Sequence, residues 1–258
     1  SPLTILKDDA GNIVYETIIE QVFEVAPGAL LALGTRDGNV EVIGNNSSRI
    51  HARVTRQVNR AASETAARAR LDRHTVNFEL KNNHVTIQDV HRPRPNLKVR
   101  ETEQLRVKYL ISIPERTDVI LNNGDGNIAV SQVHGSIHLT ASDGNVMVSD
   151  SRGILRLFTS DGNVRLKDFK GGVLARTKDG NVDFLNVNCG PQEEIIADTH
   201  DGNVCLERCK GTVSTEANDG NIQLKDCDGK ITAIASEGSI ELKGCDGILS
   251  AHTRHGRV

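Results

Sequence analysis

The chain has 258 residues, a formal net charge of −3, 37 % hydrophobic residues and 3 % aromatic residues with no Trp. So few large side chains disfavour a thick globular core, and no apolar run reaches the roughly 18 residues that a membrane-spanning helix needs. The five cysteines are odd in number and lack paired short spacings, which does not suit a disulfide framework. The net charge hides an asymmetry, because residues 49–108 hold 14 Lys and Arg against 6 Asp and Glu.

Residues 1–44 are predicted to form N-terminal strands and the first coil of a repeat. Residues 13–15 and 21–25 are strand-like and could cap one end of the molecule. Residues 28–44, GALLALGTRDGNVEVIG, match residues 172–187, GVLARTKDGNVDFLNV, closely enough to be a coil of the same kind.

Residues 45–115 interrupt the repeat as a basic insertion. Residues 59–72 combine Ala, Arg and Glu without Gly or Pro, which predicts one helix. Two strands, 74–80 and 84–90, are predicted around Asn82-Asn83, and residues 107–113 alternate as a strand that leads back into the repeat. Residues 91–96, HRPRPN, are predicted as a turn or loop because two prolines lack the N–H that a strand ladder requires.

The arginines of this insertion have two interpretations. Arg92 and Arg94 belong to a cluster that could bind an anionic polymer or a lipid surface. The alternative, which we favour, is a solvated helix packed beside an acidic rod and held there by the difference in charge.

Residues 116–258 are organised around one recurring phrase, Asp-Gly-Asn-Val-x-Leu at Asp161. The phrase returns every 18 residues from Asp125 onward, except for one interval of 22 residues between Asp179 and Asp201. The four extra residues are predicted at the second corner of that coil, around Gly190. A repeat with so fixed a phase predicts stacked coils.

Within each unit, apolar residues fall three, five, twelve, fourteen and sixteen residues after the Asp, with mostly polar residues between them. This alternation predicts two short strands per unit, each entered through a glycine. The predicted fold is all-β, a parallel β-solenoid (β-helix) with coils of about 18 residues and a helix-containing insertion, in one continuous domain. An antiparallel meander of hairpins is the rival, since D-G and N-G also favour hairpin turns.

Residues 107–150, VKYLISIPERTDVILNNGDGNIAVSQVHGSIHLTASDGNVMVSD, resemble a family of adhesin-type proteins known by a domain of unknown function and related to head-GIN adhesin domains. The family pattern is a V-x-Y-x-I-x-V-P lead-in followed by G-D/N-I/V-x-L/V strand repeats, and the resemblance covers residues 28–44 and 105–258. It implies a right-handed β-helix and brings no catalytic residues. This chain departs from the pattern in having D-G-N where many members have S-G-D.

Two columns of corner residues are expected from stacking. The asparagines are expected to hydrogen-bond along the rod as a structural ladder; they are Asn127, Asn145, Asn163, Asn181, Asn203 and Asn221. The aspartates either cap their turns through nearby backbone N–H groups or, less favoured, form an edge that binds Ca²⁺; they are Asp125, Asp143, Asp161, Asp179, Asp201 and Asp219.

No metal or cofactor site is predicted. Cys209, Cys227 and Cys245 share one position in successive coils and are interpreted as buried apolar groups, because thiols in one row lack the tetrahedral convergence that Zn²⁺ prefers. Cys205, at an outward position, is predicted to be the reactive thiol. The histidines of the basic insertion are His51, His74, His84 and His91, and none of them shows the i, i+4 ligand spacing with a carboxylate base.

The predicted binding surface lies where outward positions of the second strand are apolar. Phe158, Leu174 and Ile196 fall in three successive coils and should form one patch, either covered by the insertion or used as a contact site.

We therefore predict a non-enzymatic scaffold for binding or adhesion to a protein or surface polymer. One alternative is a structural subunit that assembles head to tail, because the sequence stops shortly after His255 without a polar cap. The weaker alternative is a polysaccharide-acting β-helix enzyme, which the scarcity of aromatic residues disfavours. That scarcity also argues against nucleic-acid binding. The resemblance implies a cell-surface or extracytoplasmic location, whereas the unpaired cysteines argue for a reducing compartment.

Overall fold

The structure, a computed structural model, describes residues 2–92 and 103–258. It is a β-solenoid of about eight coils of about 18 residues, with one short helix among the described residues. The strands are β1 (Thr4–Lys7), β2 (Ile13–Glu24), β3 (Leu30–Asp37), β4 (Asn39–Asn45), β5 (Arg49–Asn59), β6 (His74–Lys81), β7 (His84–His91), β8 (Gln104–Pro114), β9 (Asp118–Asp125), β10 (Ile128–Ser131), β11 (His134–Asp143), β12 (Val146–Asp161), β13 (Val164–Thr177), β14 (Val182–Asn188), β15 (Glu194–Thr199), β16 (Val204–Glu207), β17 (Lys210–Ala217), β18 (Ile222–Lys225), β19 (Asp228–Ala235), β20 (Ile240–Lys243) and β21 (Asp246–Thr253), and the helix is α1 (Glu64–Asp72).

The strands form two ladders that face each other across the core. In the first ladder, β4, β10, β12, β13, β14, β16, β18 and β20 pair in parallel. In the second ladder, β3, β9, β11, β12, β13, β15, β17, β19 and β21 do the same. The parallel pairing confirms the solenoid, and the hairpin meander is wrong.

A cap of unique strands continues both ladders at the N-terminal end. We use "the cap" for β1, β2, β5, α1, β6 and β7. After β8 pairs in parallel with β4, the strands β5, β2 and β1 extend the first ladder in antiparallel order. The second ladder is extended by β7, parallel to β3, and then by β6, antiparallel to β7. The insertion thus prolongs both sheets, and α1 joins β5 of one ladder to β6 of the other.

The helix is shorter than the sequence predicted. It begins at Glu64, because β5 continues to Asn59 and Ser63 then acts as the N-cap, accepting a hydrogen bond from Ala66 N at 3.2 Å. The first part of the predicted helix is therefore wrong. The strands predicted on either side of Asn82-Asn83 are confirmed as β6 and β7, and residues 93–96 of the predicted loop lie outside the described residues.

The core is a thin layer between the ladders, built from alternate side chains of each strand. Val164 and Leu166 of β13, for example, are fully buried, while Arg165 between them is exposed. Because each coil contributes only a few Val, Leu or Ile side chains, the low aromatic content suffices; Phe169, Phe184 and Tyr109 are the largest fully buried side chains. No helix among the described residues is long and apolar enough to cross a membrane.

The corners explain the repeated phrase. A Cβ at Gly180 would lie 2.1 Å from the carbonyl oxygen of Gly162 in the preceding coil, so the coils can approach only through glycine there. Next to this glycine, the Asn181 side-chain oxygen accepts from Asn203 N at 2.9 Å, and the Asn181 amide donates to Asn163 Oδ1 at 3.2 Å. Asparagine bonds of this kind link successive coils from Asn39 to Ser239.

The coil of 22 residues keeps its phase. Asn188 pairs with Lys210 across the longer interval, whereas Ile195 pairs with Val213 at the ordinary spacing. The four extra residues therefore lie between Asn188 and Ile195, at the second corner, where they were predicted. Both ladders resume their register after them.

Candidate binding face

The predicted apolar residues all lie on what we call the second face, the outer surface of the second ladder. Leu174 of β13 and Ile196 of β15 are register partners. Phe158 of β12 pairs with Arg176, two residues beyond Leu174, and so lies diagonal to Leu174. All three side chains are half-buried.

More apolar side chains accompany them. Ile120 of β9 is 37 % exposed and Ile154 of β12 is 53 % exposed, and both point outward on the same ladder. The His138 ring lies 6.2 Å from the ring of Phe158. The cap extends the second ladder edge to edge through β7, which pairs with β3, and then β6, so these two strands lie beside the second face in the same sheet.

A basic column borders the second face at the second corner. His134, Arg152 and Lys170 occupy equivalent positions in successive coils, as their register shows, and Arg116 lies with them along a groove of about 670 Å³. We use "basic column" for these four residues. Glycines line the groove between them, and a Cβ at Gly153 would lie 2.1 Å from Gly135 O.

The column is partly free to bind anions. His134 Nδ1 lies 3.3 Å from Glu115 Oε2 and 3.2 Å from Arg152 Nη2. Arg116 and Lys170 are exposed, and neither forms an ion pair within the described part of the chain. Glu193 lies at one end of the groove and is its acidic boundary. The 18-residue spacing of Arg152 and Lys170 already aligns them, although the sequence analysis did not select them as a binding site.

Arg92 does not join this surface. It is exposed and follows β7, where its N–H donates to Arg73 O at 2.8 Å. In the second ladder β7 lies four strands from β12, a separation of about 19 Å at the usual strand spacing. Arg94 lies outside the described residues.

Several other arginines of the insertion are used within the cap. Arg53 Nη1 lies 3.4 Å from Glu20 Oε1, and Arg49 pairs with Glu24, across the β2–β5 pair. Arg56 donates to His74 O at 2.6 Å. The acidic partners of Arg49 and Arg53 thus belong to β2, whereas the sequence had suggested attraction to the acidic rod.

The column of corner aspartates carries a mutual repulsion. Asp125 is the register partner of both Asp37 and Asp143. Burial raises the pKa of Asp37, and a hydrogen bond with Asp125 raises it further. Desolvation, and after it the neighbouring Asp125, raises the pKa of Asp143. The neutral carboxyl is therefore favoured at Asp37 and Asp143 more than in an isolated aspartate.

The three cysteines that share one position in successive coils were all predicted to be buried, and one of them is less buried than predicted. Cys209 and Cys227 are buried as expected, and Cys245 is half-buried. A hydrogen bond from Cys209 lowers the pKa of Cys227 to about 7, whereas burial raises the pKa of Cys205. The raised pKa of Cys205 counts against its prediction as the reactive thiol, because the thiolate is the reactive form.

Sequence reasoning missed a cluster of two histidines and an aspartate, which we call the His–Asp–His cluster. His74 and His91 are cross-strand partners in the β6–β7 hairpin, and Asp89 precedes His91 by two residues. The signal was present, because a turn at Asn82-Asn83 pairs Lys81 with His84 and, seven residues further on each strand, His74 with His91. Asp89 also occupies the inward position that comes after Val85 and Ile87.

The fold and the corner geometry define a β-solenoid repeat protein. Residues 110–225, fewer than half of the chain, match the Toastrack DUF4097 family. The match confirms, over this segment, the family resemblance expected from the repeat. A search among curated proteins finds no match.

Solved structures extend the likeness of fold. A candidate lipid-binding protein from Parabacteroides distasonis is 12 % identical, with a TM-score of 0.55, covering 93 % of this chain and 96 % of that one. A candidate adhesin from Parabacteroides merdae is 13 % identical, with a TM-score of 0.47, covering 93 % and 96 %. A candidate adhesin from Bacteroides fragilis is 15 % identical, with a TM-score of 0.40, covering 94 % and 97 %. At these identities the first likeness shows the fold alone, and the lower TM-scores of the other two support no inference about this chain.

Proposed function

We propose that the chain is a non-enzymatic scaffold that binds an anionic surface polymer along its second face. The observation that carries the proposal is the basic column beside the half-buried apolar residues Phe158, Leu174 and Ile196. The Toastrack match and the solenoid fold support a scaffold role in general. The chemistry of the partner rests on the charges and apolar side chains of this surface.

A polymer fits the column better than a compact anion does. Successive coils repeat about every 4.8 Å, so the basic side chains form a regular row parallel to the rod axis. Regularly spaced anionic groups could meet several members of the row at once, and each further contact then forms at a high effective concentration. A compact anion would meet only one or two of them.

The apolar residues supply the part of the affinity that salt does not screen. Attraction between exposed charges falls off over a Debye length of about 8 Å at physiological salt. Covering Leu174, Ile196 and the more exposed Ile154 would remove apolar surface from water, at about 25 cal/mol per Å². We therefore expect the affinity for the polymer to fall as salt is added but to keep a residual component that salt does not change.

Calorimetric titration with polygalacturonate, a polymer of uronic acids, tests the proposal. The wild type should bind, and the double variant Arg152→Glu/Lys170→Glu should bind at least about tenfold more weakly, because both charges are reversed. The matched control is Lys167→Glu/Lys243→Glu, which makes the same charge change on the outer face of the first ladder. Its affinity should stay within about twofold of the wild type.

The apolar part is tested separately. Leu174→Asp should abolish binding and leave the circular dichroism spectrum unchanged, and Ile154→Asp should do the same at a more exposed position. Met147→Asp, on the first ladder at 40 % exposure, is the control. If Leu174→Asp unfolds the protein and Ile154→Asp binds normally, these side chains serve internal packing and the proposal is overturned. Binding to vesicles containing phosphatidylglycerol but not to polygalacturonate would also overturn it, in favour of a lipid surface.

A further inference from the structure

We propose that His74, Asp89 and His91 form a binding site for a divalent transition-metal ion of the Zn²⁺ class, at the junction of the cap and the first coil. The three side chains come from both strands of the β6–β7 hairpin, and their ligand atoms all lie within 4.8 Å of one another. Imidazole nitrogens and a carboxylate oxygen are the donors that Zn²⁺ accepts in three-ligand sites.

The distances fit metal ligands better than hydrogen-bond partners. His74 Nε2 lies 3.5 Å from Asp89 Oδ2, and His91 Nε2 lies 3.4 Å from the same oxygen. Two ligands at about 2.0–2.1 Å from a tetrahedral Zn²⁺ lie about 3.3–3.4 Å apart. Hydrogen bonds between a ring N–H and a carboxylate are shorter, at about 2.7–2.9 Å.

The polar atoms lack other partners. The His74 side chain is fully buried, and neither of its ring nitrogens nor His91 Nε2 has a hydrogen bond among the described residues. An unsatisfied buried polar group costs about 1–3 kcal/mol. A metal ion would satisfy one nitrogen of each histidine and would neutralise the carboxylate, which is 2 % exposed.

The first coil holds the carboxylate in place. Thr35 Oγ1 donates to Asp89 Oδ2 at 2.9 Å, and Arg36 N lies 3.2 Å from both carboxylate oxygens. Hydrogen bonds of this kind, made to a ligand from behind, orient it toward the metal.

The site also has an entrance. The His91 side chain is 18 % exposed, and both Asp89 and His91 line a surface groove that continues past Thr35 and Asn123. Three protein ligands beside a groove leave a coordination position open to water. The expected role is to fasten the β6–β7 hairpin to β3, since Asp89 is bonded to β3 through Thr35 and Arg36.

Equilibrium dialysis and calorimetry with ZnCl₂ alone, on the full chain, test the site. The wild type should bind one ion per chain in this cluster, and bound Zn²⁺ should raise the melting temperature because it binds only the folded form. Asp89→Asn and His91→Ala should each weaken binding by about tenfold or more, and Thr35→Val by about tenfold through loss of a positioning bond. His84→Ala is the matched control, an exposed histidine at the other end of the same strand, and should bind like the wild type.

The free cysteines are the competing ligands, and Co²⁺ separates them from the cluster. Thiolate ligation adds a sulfur-to-cobalt charge-transfer band in the near ultraviolet, which the His–Asp–His cluster would lack. Should Asp89→Asn and His91→Ala bind Zn²⁺ as the wild type does, or should only the thiolate band appear, the proposal is overturned. Because Asp89→Asn preserves side-chain shape, a folded variant is available even if His91→Ala unfolds.

Discussion

The coils and the cap are both built from β-strands, but they differ in how their residues are constrained. In the coils, each side chain lies above an equivalent one, so a corner position such as Gly180 or Asn181 is determined by the residue stacked against it. In the cap, each antiparallel strand pair occurs only once, so a position such as His74 is constrained by its own neighbours and not by a repeated column of equivalent residues. Repetition therefore constrains the glycine and asparagine corners of the coils to structural residues, whereas the cap can place unlike polar groups together, as it does with His74, Asp89 and His91.

The largest effect is expected where the coils approach most closely. Gly180→Ala would place a methyl group 2.1 Å from the Gly162 carbonyl oxygen, and backbone on both sides leaves little room to move. The free energy of unfolding should fall by about 3 kcal/mol, measured by denaturant titration. Gly172→Ala is the control, since its Cβ would meet nothing nearer than 3.8 Å and should change stability by less than about 1 kcal/mol. Equal effects would show that stacking does not set the glycine column.

A smaller loss is expected from the asparagine ladder. Asn181→Ala removes the acceptor for Asn203 N and the donor to Asn163 Oδ1, which should cost about 1 kcal/mol because the bonds are exposed. A melting curve measures it. Gln223→Ala, which loses an exposed bond to Glu241 without touching a backbone N–H, should melt within about 1 °C of the wild type. An unchanged melting temperature in Asn181→Ala would remove the ladder as a source of stability.

Removing the N-cap of α1 should lower stability by a similar amount, but in a different part of the molecule. Ser63→Ala deletes the N-cap acceptor of α1 and should cost about 1 kcal/mol, and Ser63→Asp should restore it. Amide hydrogen exchange identifies the residues whose protection falls in Ser63→Ala. Faster exchange confined to α1 and its neighbours would mean that the cap opens by itself; faster exchange throughout the coils would mean that cap and coils unfold as one unit.

The smallest effect concerns the aspartate column and pH. The pKa of Asp143 is raised above its ordinary 3.8 in the folded state, so the folded chain holds this proton more tightly than the unfolded chain. The resulting destabilisation is absent below pH 3.8 and grows as the pH rises through the folded pKa. Asp143→Asn should therefore be slightly more stable than the wild type at about pH 7 and equal to it near about pH 3, in thermal melts. Asp9→Asn carries the same charge change away from the column and should show no such gap.

Most of the coil architecture could be predicted, because a repeat presents the same evidence many times. The glycine corners, the inward apolar positions and the place of the four extra residues near Gly190 are all set by spacing. The basic column is set by spacing too, but its functional meaning appears only when Arg116, Arg152 and Lys170 are seen along one groove. The second face could be drawn from alternation alone, whereas its diagonal arrangement of Phe158 and Leu174 required the register.

The cap could be predicted only in part. The two strands of the β6–β7 hairpin were found because Asn82-Asn83 is a strong turn signal. The start of α1 was missed because residues 59–62 have helix-forming composition but continue from β5, whose pairing with β2 and β8 is long-range. The His–Asp–His cluster was missed because i, i+4 spacing was sought, whereas a hairpin brings together residues whose numbers add to a constant.

The loop at residues 189–193 has a practical consequence. Four additional residues enter the rod there, and yet the strands on either side still pair, Asn188 with Lys210 and Ile195 with Val213, as though nothing had been added. The second corner therefore accommodates additional residues without a change of register in the strands on either side. We expect an epitope or fluorophore tag inserted between Gly190 and Gln192 to be displayed at one defined coil, along the edge formed by the second corners.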